Sequence, residues 1–138
     1  MHQPLLLDRP FAVQILLAVV VPALYGLVTG LILGVSAAGY LVLSILGILG
    51  GLVAGYDHYG ADEGFVRGLC GGLLFGTFIL VGHSVFGLEA KAKIPDPHGV
   101  LVGITTVFGA ILGAIGGALR ARSERKAGRG RDRDLATA

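Results

Sequence analysis

Residues 10–56 read PFAVQILLAVVVPALYGLVTGLILGVSAAGYLVLSILGILGGLVAGY, and none of these 47 residues carries a charged side chain. A transmembrane helix needs about 20 consecutive apolar residues, so the run is long enough for two spans. Small residues and glycines interrupt it at Gly34-Val-Ser-Ala-Ala-Gly39, a pattern typical of a turn. We therefore predict helix 1 at about 11–34 and helix 2 at about 38–56.

Two further apolar segments predict helix 3 at about 64–88 and helix 4 at about 99–120. The charged side chains from Asp57 to Arg67 are assigned to a short hydrophilic loop after helix 2. The second polar connection, 89–98, contains two prolines, which cannot continue a helix. The expected fold is an all-α membrane protein with four transmembrane helices.

Composition agrees with this fold class. The chain has 138 residues, of which 54% are hydrophobic and 14% charged, and its mean hydropathy is +0.78. An ordinary soluble domain has about 25% charged residues, so a soluble domain, a disordered chain and a coiled coil are all excluded. Little chain remains outside the membrane to build a soluble active site. We therefore expect no enzymatic activity and no cofactor.

Each predicted span carries three glycines at four-residue spacing, and such residues lie on one face of a helix. Small residues at this spacing let two helix backbones approach closely, which drives helix association in lipid. The pattern predicts a glycine-zipper bundle, with contacts either within one chain or between chains. The predicted packing residues are Gly26, Gly30, Gly34, Gly47, Gly51, Gly55, Gly68, Gly72, Gly76, Gly109, Gly113 and Gly117.

The stretch Gly50-Gly51-Leu-Val-Ala-Gly55, followed by Gly60-Ala-Asp-Glu-Gly64-Phe-Val-Arg-Gly68, resembles a known arrangement. It is similar to the central hairpin of small, uncharacterised four-helix glycine-rich bacterial inner-membrane proteins. In that group, two glycine-rich helices flank a short charged cytoplasmic loop. The resemblance covers about a quarter of the chain, and it implies an inner-membrane four-helix architecture without implying an activity.

The distribution of Lys and Arg predicts the orientation. Nine of the eleven lie in the N-terminal segment 1–10, the loop after helix 2 and the C-terminal segment that starts at Arg120, which places these three in the cytoplasm. The tail, 121–138, is predicted to be disordered and to anchor the topology in the plasma membrane. Its alternative role is binding to anionic lipid. Nucleic acid is not an expected partner, because no aromatic side chain accompanies the basic residues for stacking.

Several polar side chains within the predicted spans are candidates for a pore or for polar helix contacts. Serine and threonine in helices often bond to their own backbone, so packing is the alternative role for the hydroxyl groups. No carboxylate, lysine or arginine is expected inside a span, which argues against ion-coupled transport. The candidates are Thr29, Ser44, Thr77, His83 and Thr105.

Two groups of residues have ligand types suited to a metal ion. The loop after helix 2 holds four such residues close together, but a solvated turn is the favoured interpretation there. His83 could pair with residues of the second polar connection, although three ligands must converge to form a metal centre. We expect no bound metal. The candidates are Asp57, His58, Asp62 and Glu63 in the loop, and His83, Glu89, Asp96 and His98 at the other end.

Two single residues have structural interpretations. Cys70 lies in an apolar, glycine-rich stretch and is expected to act as a small packing residue. Pro22 removes a backbone donor from helix 1 and is expected to kink it. Together these features predict a non-enzymatic scaffold or accessory subunit that associates with itself or with another membrane protein. The alternative is a small oligomeric channel or transporter.

Overall fold

The computed structural model describes residues 6–137, including all of their side chains except those of Leu7 and residues 130–137. A short 3-10 helix precedes four long helices, and the described residues contain no strand. The four long helices are apolar and long enough to cross a membrane, so the all-α, multi-pass prediction is confirmed in this form. They are α1 (Phe11–Leu33), α2 (Ala37–Tyr56), α3 (Ala61–Phe86) and α4 (Gly99–Thr137).

Local sequence signals set the helix ends. The hydroxyl of Ser36 accepts a hydrogen bond from the Gly39 N–H at 3.1 Å and caps the start of α2. Gly60 and Gly87 have positive φ angles of 108° and 59°, and they stand immediately before and after α3. Helix α3 begins at Ala61 rather than at residue 64, and Arg67, which the sequence grouped with the charges of the preceding loop, lies in its second turn.

The C-terminal segment differs from its prediction. Residues 121–138 are predicted to be disordered, whereas the structure continues α4 through Thr137. Arginine, lysine, alanine and glutamate all favour helix, and the Arg120 Nε donates to a carboxylate oxygen of Glu124 one turn later at 2.7 Å. Ala138 and residues 1–5 of the predicted cytoplasmic segment 1–10 lie outside the described residues.

Helix α3 is the centre of the bundle and packs against all three other helices. It runs antiparallel to α4, with Gly64 opposite Gly113 and Gly68 opposite Gly109. Each step of one turn along α3 is therefore one turn back along α4. Within the described residues α1 and α4 do not pack against each other, because α3 lies between them.

The α3–α4 contact brings two backbones together without intervening side chains. A Cβ atom added at Gly68 would lie 2.7 Å from the carbonyl carbon of Gly109, and one added at Gly113 would lie 2.9 Å from the Cα of Gly68. Both distances are shorter than real Cβ contacts, so any larger residue would push the two helices apart.

Hydrogen bonds hold the connections at the two ends. At one end the Leu6 N–H donates to the Asp57 carbonyl at 3.1 Å, and the Gly60 N–H donates to the Gly117 carbonyl at 3.3 Å. At the other end the Lys91 N–H donates to the Leu33 carbonyl at 2.9 Å. The start of the chain, the α2–α3 turn and the last apolar turn of α4 therefore share one end of the bundle.

The close backbone contact predicts a large difference between two glycine-to-alanine substitutions. We expect Gly68→Ala to lower the free energy of unfolding by about 1–3 kcal/mol, the usual effect of overpacking. Gly103→Ala is the matched control, because no atom lies within 4 Å of its added Cβ. Unfolding in mixed micelles of maltoside and dodecyl sulfate, followed by circular dichroism, measures both. Equal stability of the two variants would contradict the contact.

Candidate functional site

Helix α1 contains an irregular turn next to its proline. Residues Leu16–Val20 form a π-helical turn, in which the Val21 N–H donates to the Leu16 carbonyl five residues back. The next residue, Pro22, has no N–H to donate. The carbonyl of Leu17 is thus left without a donor from its own helix. The π turn lies directly before Pro22, and the expected kink at Pro22 stays a prediction.

Arg67 of α3 supplies the missing donor. Its Nη2 donates to the Leu17 carbonyl oxygen at 2.7 Å, across 50 residues of sequence. A backbone carbonyl without a partner is costly inside a bilayer, so this bond stabilises the pairing of α1 with α3. Sequence analysis missed it by placing Arg67 in a loop. The signal was present, since an arginine within seven residues of a helix start can fall on its inward face.

The remaining donors of Arg67 have no acceptor among the described residues. Its Nε is buried without a hydrogen-bond partner, and no carboxylate lies within 4.0 Å of the guanidinium. Glu63, one turn earlier, would be the usual helical partner, but it accepts the Tyr59 N–H at 3.3 Å. Asp57 pairs instead with Arg9 at 3.6 Å. One half-buried cation, with its Nε atom fully buried, therefore lines the interior of the bundle.

A cavity of about 550 Å³ lies beside this arginine, between α1, α2 and α3. The Tyr25 and Phe75 rings line it, with their centroids 5.7 Å apart. Most of the remaining wall is aliphatic or glycine. The glycines that line it are Gly47, Gly50 and Gly51 on α2, Gly68, Gly71 and Gly72 on α3, and Gly109 on α4.

The other polar side chains of the cavity already have partners. The Tyr25 hydroxyl donates to the Leu43 carbonyl at 2.9 Å. The Thr105 hydroxyl donates to the carbonyl of Val102 in its own helix at 3.0 Å. Since Asp57 pairs with Arg9, Arg67 is the group in the described lining that retains unused charged donors. The site can therefore hold an anion.

The five predicted pore residues do not come together at this cavity. Only Thr105 lines it. Thr29 is fully buried and donates to the Tyr25 carbonyl at 2.8 Å, and Thr77 is exposed on the outside of α3. The Ser44 hydroxyl and the His83 Nδ1 are buried without hydrogen-bond partners in the described structure. These positions indicate polar contacts within and between helices rather than one continuous path.

The predicted metal residues are also dispersed. The His58 Nδ1 lies 3.1 Å from the Ala54 carbonyl, and Asp62 is exposed. Within residues 6–137, no group of three or more His, Cys, Asp or Glu side chains could hold a metal ion, either in this turn or at His83. Cys70 is a free cysteine exposed on the surface of this chain, so its expected role as a small packing residue stays a prediction.

The twelve predicted packing glycines all have atoms of another segment of the same chain within 4 Å. Gly26 and Gly30 face α3, Gly34 faces the Leu88 side chain, and Gly47 faces the Phe75 ring. Gly51 and Gly55 face α4, while the α3 and α4 arrays face each other. An added Cβ atom would instead have no neighbour within 4 Å at four glycines of the long helices, and these are Gly50, Gly99, Gly103 and Gly128.

Comparison with known proteins identifies no relative. No protein-family model, curated protein or solved structure matches this chain. The resemblance to small four-helix bacterial membrane proteins therefore stays a prediction.

The bond between Arg67 and Leu17 predicts an energetic coupling with Pro22. We expect Arg67→Met to lower the free energy of unfolding by about 1–3 kcal/mol, because the Leu17 carbonyl loses its donor. In the Pro22→Ala background, which restores an N–H, the same change should be smaller by about 1 kcal/mol. Arg67→Lys keeps a donor and serves as the control. Additive effects in a double-mutant cycle would show that the two sites are independent.

Proposed function

We propose that this protein is a non-enzymatic scaffold or accessory subunit of the plasma membrane, built on a glycine-zipper core. One observation carries the proposal. Gly99 and Gly103 lie one turn apart on α4, both are exposed, and a Cβ atom added at either would have no neighbouring atom within 4 Å. The partner is a helix of a second copy or of another membrane protein.

The contacts of the other glycines support the proposal that Gly99 and Gly103 face a partner helix. The twelve array glycines contact segments of their own chain, which makes the bundle compact and leaves them unavailable to a partner. Gly99-x-x-x-Gly103 keeps the small-residue spacing that promotes helix association in lipid. Exposed aliphatic side chains cover much of the remaining surface, as contact with lipid tails requires. The open glycine pair is thus the feature that distinguishes one face.

Association through this face predicts opposite behaviour of two leucine substitutions. Gly103→Leu would fill the open strip and should release the partner, with at least a tenfold loss of the associated form. Gly50→Leu is the matched control, because its position is equally open but lies in the internal cavity. Native mass spectrometry of protein extracted gently from its own membrane would record copy number and co-purifying chains. Retention of the partner by Gly103→Leu would refute the proposal.

The orientation is part of the same proposal. Arg9, Arg67 and the basic end of α4 lie at the end of the bundle where Leu6 bonds to Asp57, whereas Lys91 lies at the other end. The positive-inside rule then places both termini in the cytoplasm, where the basic extension of α4 adjoins anionic lipid.

Reporter fusions test this orientation. Alkaline phosphatase is active only outside the cytoplasm, so it should be inactive after Ala138 and active when inserted at Lys93. A cytoplasmic fluorescent reporter should show the reverse pattern at both sites. Active phosphatase at the C-terminus would show that the orientation is the opposite of the one proposed.

A small oligomeric channel or transporter is the second candidate, and the internal cavity favours it. The cavity is of a size typical for small-molecule sites, about 300–1,000 Å³. Flux of small anions into liposomes containing the purified protein would distinguish transport from a purely associative role.

A further inference from the structure

The cavity between α1, α2 and α3 contains a charge, that of Arg67, which has no carboxylate within 4.0 Å, although Asp57 in the same wall acts on it at longer range. Arg67 uses one donor on the Leu17 carbonyl, and guanidinium has five. The Arg9–Asp57 pair beside it is internally balanced. Removing a charge from water without a counter-charge is costly, and this cost falls when an anion binds.

The surrounding acidic side chains do not supply a counter-charge in direct contact with Arg67. Glu63, Asp62 and His58 lie on the opposite side of Arg67, along an open groove between α1 and α3. Glu63 accepts the Tyr59 N–H, Asp62 is exposed, and the His58 ring faces the Ala54 carbonyl. On the cavity side the nearest carboxylate is that of Asp57, which is held by Arg9.

The cavity also has a polar end and an apolar end. Arg67 and Asp57 lie near the end of the bundle, whereas Phe75 is two turns deeper along α3. Eight residues of helix rise about 12 Å, so the charged end lies near the headgroups and the apolar end lies within the hydrocarbon. A lipid-like molecule has the same polarity along its length.

The cavity exists because glycines in its wall have no side chains that would fill it. A Cβ atom added at Gly50 would have no neighbouring atom within 4 Å, and alanine in a helix is more stable than glycine by about 0.5–1 kcal/mol, so neither packing nor helix stability explains the small size of this residue. At Gly71 an added Cβ would lie 2.9 Å from the Arg67 Nη1, so glycine lets the guanidinium lie across α3. Both positions keep the cavity open next to the cation.

We propose that this cavity binds an anionic amphiphile, with a carboxylate or phosphate group on Arg67 and an acyl chain along the glycines of α2 and α3. The guanidinium fork matches either oxyanion. The bond to Leu17 keeps Arg67 in position and leaves its other donors for the ligand. This site is separate from the open glycine pair on α4, and it goes beyond the associative function proposed above.

Isothermal titration calorimetry of the full chain in maltoside micelles tests the site. The probes are decanoate, decanol as its neutral counterpart, acetate as an anion without a chain, and a short-chain phosphatidylglycerol. We expect decanoate or the phosphatidylglycerol to bind at least about tenfold more tightly than decanol and acetate. The tighter of the two anions identifies a free fatty acid or a phospholipid as the source. Equal binding of decanoate and decanol would overturn the proposal.

Variants separate the site from bulk charge and from folding. Arg67→Gln should reduce anion affinity at least about tenfold, and Arg67→Lys, which keeps the charge and a donor to Leu17, should bind with intermediate affinity. Arg122→Gln removes an exposed arginine outside the cavity and should have no effect. Equal losses of anion affinity in Arg67→Gln and Arg122→Gln would show that binding depends only on the overall charge of the protein, and would overturn the proposal.

Filling the cavity gives a test that leaves the charge in place. Gly50→Leu has room for its side chain and should abolish decanoate binding while the circular dichroism spectrum stays unchanged. Gly103→Leu should leave decanoate binding intact. Because these two variants have opposite expected effects on partner association, failure of this site and failure of the associative function are distinguishable. Unchanged affinity of Gly50→Leu would place the ligand elsewhere and overturn the proposal.

Discussion

The direct contact between the backbones of α3 and α4 is the constraint on which the rest of the bundle depends. Their glycines face each other turn by turn, so the register of the two helices is determined by where side chains are missing. In lipid there is little gain from burying apolar surface, and close backbone approach becomes a main source of attraction. With α3 held in this way, α1 and α2 pack around it and the remaining space becomes the cavity.

A second requirement is that backbone polar groups inside the membrane find partners. Pro22 and the π turn leave the Leu17 carbonyl without a helical donor, and Arg67 provides one from another helix. The same arginine brings a charge into the interior. A single irregularity in α1 is therefore linked both to the stability of the α1–α3 pair and to the chemistry that the cavity can offer.

Hydropathy and the position of glycines and prolines were sufficient to predict four apolar helices. The interval between α2 and α3 was harder to interpret, because Asp62 and Glu63 look like loop residues although acids are favourable in a first helical turn. Grouping Arg67 with these loop charges hides its position within the helix. The contact between Arg67 and Leu17 depends on two helices distant in sequence, and no local pattern reports it. The basic tail was predicted to be disordered because charge was weighed more heavily than helix propensity.

The hydrogen bond between Arg67 and Leu17 also bears on the order of assembly during synthesis. The first helix leaves the ribosome 50 residues ahead of the arginine that completes its hydrogen bonding. Until the third helix arrives, the Leu17 carbonyl must be solvated by water at the membrane surface or by the insertion machinery. The hydrogen bonding of the first helix is therefore complete only after the centre of the chain has been synthesised.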